Sequence, residues 1–172
     1  MSTKPMPGTA APALSLPIAG GGTFDLSAQT PGAATMVIFY RGLHCPVCET
    51  YLGKVKKNAA AFAEAGMPIA LVSMDTQNRA EKAKEDWDLG DLLVAYGLTE
   101  AQARAWGLYV STSIKKVEPH VFCEPGTFWV LPDGTLYLID IASMPFARPD
   151  LDILLSRVVA IGNGYPPRGT TA

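Results

Sequence analysis

Hydrophobic and polar positions along the chain switch between the period of a strand and the period of a helix. Thr35-Met36-Val37-Ile38-Phe39-Tyr40 is an unbroken apolar, β-rich run, the composition of a strand covered on both faces, and is expected at the centre of a sheet. Pro46 then stands where a first helical residue would. Val47, Tyr51, Val55, Asn58 or Ala59, and Phe62 follow at helical spacing until Gly66 can close the end. Lys54, Lys56 and Lys57 are left for the wet face of that helix, and Gly53 inside it costs about 1 kcal/mol relative to alanine. Pro68 to Ser73 is a second buried strand. Strand, helix and strand in this order make a parallel, right-handed crossover, so the fold class reads as α/β.

The alternation continues with a helix over Gln77 to Trp87, a strand at Leu92 to Ala95, and a helix opened by Thr99, with Gln102 completing a capping box. Thr127 to Leu131 and Thr135 to Ile139 flank Pro132-Asp133-Gly134, whose Asp-Gly pair predicts an antiparallel hairpin ending the sheet. Asp150 opens a last helix, with Leu151, Leu154, Leu155 and Val158 on one face and Gly162 at its close. Met1 to Gly22 has no helical or strand period and predicts an extended arm leading into a short strand near Thr23 to Leu26. Neither an internal repeat nor a dividing linker interrupts the chain, which predicts one domain over residues 1–172 with loose tails at 1–12 and 163–172. Trp87, Trp106 and Trp129 are expected in the core or on its rim.

Composition narrows the function. With 172 residues, 48% of them hydrophobic, the chain can bury one good core without disulfides or metal. A formal charge of −2 supplies no basic field to hold a phosphate backbone, so no nucleic acid is expected as a partner. No apolar run approaches the length of a bilayer span and the first twenty residues lack a signal pattern, which together predict a cytoplasmic protein with no membrane partner.

Three cysteines remain, two of them in Cys45-Pro46-Val47-Cys48 at a strand-to-helix junction. This spacing places Cys45 at the helix N-cap and Cys48 one turn inside, with the first sulfur facing the positive end of the helix dipole. A thiolate is stabilised there, and an imidazolium at His44 would lower the Cys45 pKa further. The chemistry predicted is dithiol–disulfide cycling, with Cys45 attacking and Cys48 resolving. A second reading comes from the donor set Cys45, Cys48, His120 and Cys123, which could bind zinc tetrahedrally as a metal module. Cys123 otherwise reads as a buried thiol at a strand edge, and Glu49 and Glu124 as solvated charges. Gly20 to Gly22 lack the residues of a phosphate loop, and no Gly-x-Ser-x-Gly elbow is present.

The run Phe39-Tyr40-Arg41-Gly42-Leu43-His44-Cys45-Pro46-Val47-Cys48, with Pro125-Gly126-Thr127-Phe128 ahead of Asp133-Gly134, resembles the peroxiredoxin-like branch of the alkyl hydroperoxide reductase/thiol-specific antioxidant superfamily. The resemblance extends over roughly Pro12 to Ile161. It implies a thioredoxin-like fold, a central mixed sheet flanked by helices, and a thiol-dependent antioxidant enzyme without a cofactor. The implied substrate is a hydroperoxide or a disulfide, the implied reductant a thioredoxin or glutathione system, and a homodimer is compatible with the fold. The family's Pro-x-x-x-Thr-x-x-Cys register puts Arg41 at the Pro, Cys45 at the Thr and Cys48 at the catalytic cysteine. On that register Cys48 would form the sulfenic acid and Cys45 would resolve it, the reverse of the order for a disulfide substrate. Where a peroxiredoxin carries an arginine before the later strand, this chain has Pro125, which matches the cis-proline of thioredoxin-like proteins, a docking element for extended partners. Arg41, a possible substitute cation, and His44 complete the implied substrate-binding set.

Overall fold

The computed structural model describes residues 4–171. Its centre is a five-stranded mixed sheet in the order β5-β4-β3-β8-β9, formed by β3 (Thr35–Phe39), β4 (Ile69–Val72), β5 (Leu93–Ala95), β8 (Gly126–Val130) and β9 (Leu136–Ile141). β3 runs parallel to β4, β4 parallel to β5, and β3 is antiparallel to β8. The expected central strand is therefore central. Every residue of β3 is buried, and its side chains alternate: Met36 and Ile38 enter one core, Val37 and Phe39 the other.

Helices lie on both faces. α1 (Pro46–Glu64), α2 (Gln77–Asp86) and α4 (Leu151–Arg157) share the first core, where Leu52, Val55, Phe62, Ala80 and Leu154 pack with Met36, Ile38, Leu71 and Trp129. α3 (Glu100–Ala105) covers the second, whose centre is the aromatic set Phe39, Trp106 and Phe128 with ring centroids 4.9–5.6 Å apart. The capping box of α3 is formed in both directions between Thr99 and Gln102. Trp106 and Trp129 are core residues, and Trp87 sits half-buried against Tyr40. Among the described residues, no helix is long and apolar enough to cross a membrane.

Several boundaries differ from expectation. Val47 is 39% exposed because the buried stripe of α1 runs through Cys48, Tyr51, Leu52, Val55 and Phe62, one residue round from the expected face. The last helix breaks at Val158 into α4 and α5 (Val159–Gly162). Two pairs of strands outside the main sheet, three residues each, are too short to announce themselves: β1 (Ser15–Pro17) with β2 (Thr23–Asp25), of which only the second was expected, and β6 (Val110–Thr112) with β7 (Val121–Cys123). The arm expected to be loose is docked in its described part, with Gly8 and Ala11 N–H donating to Leu136 and Gly134 carbonyls; residues 1–3 lie outside the described residues. The tail is likewise held at Tyr165, whose carbonyl accepts from the Tyr137 hydroxyl at 3.0 Å.

The three-ring contact on the second core predicts that Phe128→Ala, which removes the β8 member of the set, lowers unfolding free energy by about 3–5 kcal/mol in urea titration of the reduced protein.

Candidate active site

The loop from the end of β3 to the start of α1 is shaped by a carboxylate from another strand's end. Asp75, 2% exposed just after β4, accepts the Leu43 N–H at 2.8 Å on one oxygen and the Arg79 guanidinium at 2.9 Å on the other. Gly42 turns the chain there with φ +130°, and a Cβ on it would stand 2.7 Å from an Asp75 oxygen, so only glycine fits. The chain then enters α1 with Cys45 as its N-cap and Pro46 as first helical residue, as the sequence predicts. The Cys45 sulfur does what a capping oxygen usually does: it accepts the Cys48 N–H, at 3.3 Å.

Both sulfurs are buried and both cysteines are free thiols, yet their environments differ. The Cys48 thiol donates to the Cys45 sulfur, the Cys48 amide adds a second bond and the Arg41 guanidinium a third. Together these outweigh burial and pull the Cys45 thiol down to about 6. Cys48 moves the opposite way, because it is more deeply buried and its proton is held on Cys45; the Arg148 charge and a backbone hydrogen bond from Arg41 work against that rise without overcoming it. One sulfur is thus set up as thiolate and its neighbour as the thiol that stabilises it.

Arg41 is aimed by three neighbours. Its Nε lies 3.1 Å from Glu124, its Nη2 lies 3.9 Å from Glu118, and its guanidinium lies 4.8 Å from the Phe122 ring centre. The register explains the first of these: Phe39 pairs with Gly126, so the chain just beyond each strand end brings Arg41 alongside Glu124. Glu124, expected in solvent, is only 4% exposed and also accepts from the Ser111 hydroxyl at 2.7 Å. The correction follows from the β6–β7 hairpin, which covers this edge of the site. Glu49 is exposed, as expected.

His44 does not supply the cation expected of it. Its ring packs on Phe122 with centroids 4.6 Å apart, neither ring nitrogen has a hydrogen-bond partner among the described residues, and burial followed by the Arg41 charge pushes its pKa down. At neutral pH it is an uncharged ring in the wall of the site. Pro125 is buried beside the cysteine loop, but no peptide bond among the described residues is cis, so the thioredoxin-type proline is absent in that form. Cys123 is fully buried, with its thiol 3.5 Å from the Tyr40 carbonyl and pushed up to about 12 by burial. The zinc reading fails on placement. His120 is exposed in the turn before β7 while the three sulfurs are inside, and no group of three His, Cys, Asp or Glu among the described residues is placed to hold a metal.

The residue missed by sequence reasoning is Arg148. It lies in the loop between β9 and α4, 100 positions from Cys48, and its Nη2 donates to the Cys48 sulfur at 3.0 Å while its guanidinium sits 4.9 Å over the Tyr51 ring. Tyr51 fixes that loop by donating its hydroxyl to the Pro149 carbonyl at 2.9 Å. Nothing in the local pattern of Phe146-Ala147-Arg148-Pro149 signals the contact.

A mixed sheet of this order, with helices on both faces and a cysteine pair at the start of α1, is a thioredoxin-like fold of the class that thiol-dependent oxidoreductases use. The chain belongs to the AhpC/TSA family, whose model matches residues 7–139. Among solved structures it is similar to the peroxidoxin BcpB of Mycobacterium tuberculosis, with 20% identity, 91% of this chain and 98% of that one covered, and a TM-score of 0.74. A peroxiredoxin-like protein from Aquifex aeolicus matches at 17% identity, covering 92% and 89% of the two chains, with a TM-score of 0.73. The reduced 2-Cys peroxiredoxin of Plasmodium vivax matches at 14% identity, 92% and 82% coverage and a TM-score of 0.76. At these identities the likeness establishes the fold. No curated protein sequence matches the chain.

Two outcomes follow from the site. In Cys48→Ala, which removes the strongest of the donors to Cys45, the pH midpoint of Cys45 alkylation by iodoacetamide should rise well above the value of about 6 set by the intact pair. In Gly42→Ala, the clash with Asp75 should destabilise the reduced protein by about 1–3 kcal/mol in urea titration and raise the same midpoint, because the Cys45 loop loses its anchor.

Proposed function

We propose that the chain is a dithiol oxidoreductase in which Cys45 is the attacking thiolate and Cys48 the resolving thiol. The observation that carries this reading is the opposed ionisation of the two sulfurs, Cys45 held down by the Cys48 thiol and Arg41 while Cys48 is held up by burial. With a hydroperoxide, the Cys45 thiolate attacks the terminal peroxide oxygen. An S–O bond forms, the O–O bond breaks, and the departing alkoxide takes a proton from water to leave as an alcohol. The Cys48 thiol then attacks the sulfenic acid, releasing water and closing the disulfide. With a disulfide substrate, the same thiolate forms a mixed disulfide that Cys48 resolves. An outside dithiol of the thioredoxin or glutathione type returns both sulfurs to the reduced state. Arg41 steadies the thiolate, and His44 and Pro125 shape the wall around it.

One contact favours a second order of events. The Arg148 guanidinium on the Cys48 sulfur would stabilise a Cys48 thiolate once Cys45 is protonated, as the peroxiredoxin register requires.

Wild type, Cys45→Ser and Cys48→Ser compared for peroxide consumption and for reduction of a protein disulfide separate these orders. If Cys45 attacks, Cys48→Ser reduces one equivalent of peroxide and stops as a trappable sulfenic acid, while Cys45→Ser is inert in both assays. A single turnover retained by Cys45→Ser and lost in Cys48→Ser would reverse the assignment, and inactivity of the wild type in both assays would remove it.

A further inference from the structure

The β6–β7 hairpin turns one face towards the loop that carries the cysteines. In its register Ser111 pairs with Phe122 and Val110 with Cys123, so Ser111, Phe122 and Glu124 share a face while Val110 and Cys123 turn to the second core. Against the first face lie Arg41, its guanidinium 4.8 Å from the Phe122 ring centre, and the His44 ring at 4.6 Å. The Glu124 carboxylate divides its oxygens. Oε1 accepts the Ser111 hydroxyl at 2.7 Å, and Oε2 lies 3.1 Å from Arg41 Nε. The second contact is an ion pair without an aligned hydrogen bond, since neither Arg41 Nε nor Glu124 Oε2 has a hydrogen-bond partner among the described residues. That pair does not fix its own geometry, so the carboxylate is set from its other side. There the Ser111 hydroxyl makes the one side-chain hydrogen bond of Glu124 among the described residues, at the length of a charge-assisted bond. At the far end of the same row, Arg41 hydrogen-bonds the Cys45 sulfur.

We propose that Ser111 is a positioning residue for the thiol chemistry: its hydroxyl fixes the Glu124 carboxylate, which in turn holds the Arg41 guanidinium against the Cys45 sulfur. Ser111 has no hydrogen bond to either reactive sulfur among the described residues and acts through two intermediaries. The assignment rests on the reading of Cys45 as the attacking thiolate, and adds the residue that keeps its cation in place. Charge alone argues the other way. Glu124 and Glu118 set two carboxylates on one guanidinium, and anions near a thiol oppose its ionisation. If Glu124 only screened Arg41, loosening it would favour the Cys45 thiolate; if it holds Arg41 in place, loosening it disfavours the thiolate. The two roles differ in sign. The other charged or titratable groups acting on this loop are Glu118 on the hairpin, His44 on the loop itself, Asp75 and Arg79 from the end of β4 and from α2, and Arg148 beyond Cys48. Replacing Ser111 changes the charge of none of them.

The test measures the pH midpoint of Cys45 alkylation by iodoacetamide in the reduced protein, read at Cys45 by peptide mass spectrometry. Wild type is compared with Ser111→Ala, Ser111→Val, Ser111→Thr, Arg41→Ala and Ser111→Ala/Arg41→Ala. Both variants without the hydroxyl should raise the midpoint from about 6 by about half a unit. Ser111→Thr should leave it in place, because threonine returns the hydroxyl and, like valine, suits a strand. Alanine and valine are both included so that either one, if it fails to fold, leaves the other to be read. Arg41→Ala should raise the midpoint further, and on that background Ser111→Ala should add nothing, the mark of an effect that passes through Arg41. An unchanged or lowered midpoint in the folded variants without the hydroxyl, or a Ser111→Ala shift undiminished in the absence of Arg41, overturns the assignment. The loss of kcat/KM in Ser111→Ala should be present near about pH 6 and gone two units higher, where Cys45 is ionised in every Ser111 variant; an equal loss at both pH values marks a merely structural role and overturns it too. Alkylation needs no turnover. A wild type inactive towards both peroxide and protein disulfide therefore removes the proposed function, while the midpoints still decide the role of Ser111.

Discussion

The turn that carries the site depends on one buried carboxylate. Asp75 takes the Leu43 N–H and the Arg79 guanidinium from two different elements, and the backbone of Gly42 passes too close to it for any side chain. A carboxylate almost fully removed from water is tolerated only with such partners, and taking one away leaves an uncompensated charge. The arrangement therefore locks the direction in which the chain leaves β3. Arg41 is turned towards the β6–β7 hairpin, Cys45 onto the end of α1, and His44 against Phe122. Had the turn been held only by its own backbone, these three side chains would share no fixed geometry.

Two arginines then treat two neighbouring sulfurs differently. Arg41 comes from the adjoining loop and is oriented by Glu124 and Phe122; Arg148 comes from the far end of the chain and is oriented by Tyr51. Charge alone does not decide which sulfur ionises, since each has a guanidinium beside it. Hydrogen bonding and burial do. Cys45 accepts both the Cys48 amide and the Cys48 thiol at the helix N-terminus, whereas Cys48 is the more deeply buried of the two and holds its proton more tightly.

What the sequence disclosed was what is encoded locally. The all-apolar run at Thr35 to Tyr40, the proline after Cys45, the Thr99–Gln102 box and the Asp133-Gly134 turn each specify their own geometry within a few residues, and all appear where expected. The cysteine pair was legible for the same reason. Arg148 was not, because its relation to Cys48 exists only after the sheet has been ordered and the loop beyond β9 has folded back across α1. Burial of Glu124 was hidden for a related reason: the strands of the hairpin that covers it, three residues each, are too short to leave a period. His44 misled in a third way. Beside a cysteine in sequence it reads as a cation, yet a ring pressed on Phe122 next to Arg41 is better uncharged.

The helix-seated sulfur also bears on electron affinity. Every hydrogen bond and charge that favours a Cys45 thiolate favours the reduced pair, and much of that stabilisation is forfeited when the two sulfurs join and Arg41 and Arg148 are left facing a neutral bond. A disulfide closed between them would thus be a comparatively strong oxidant, readily reopened by ordinary cellular dithiols.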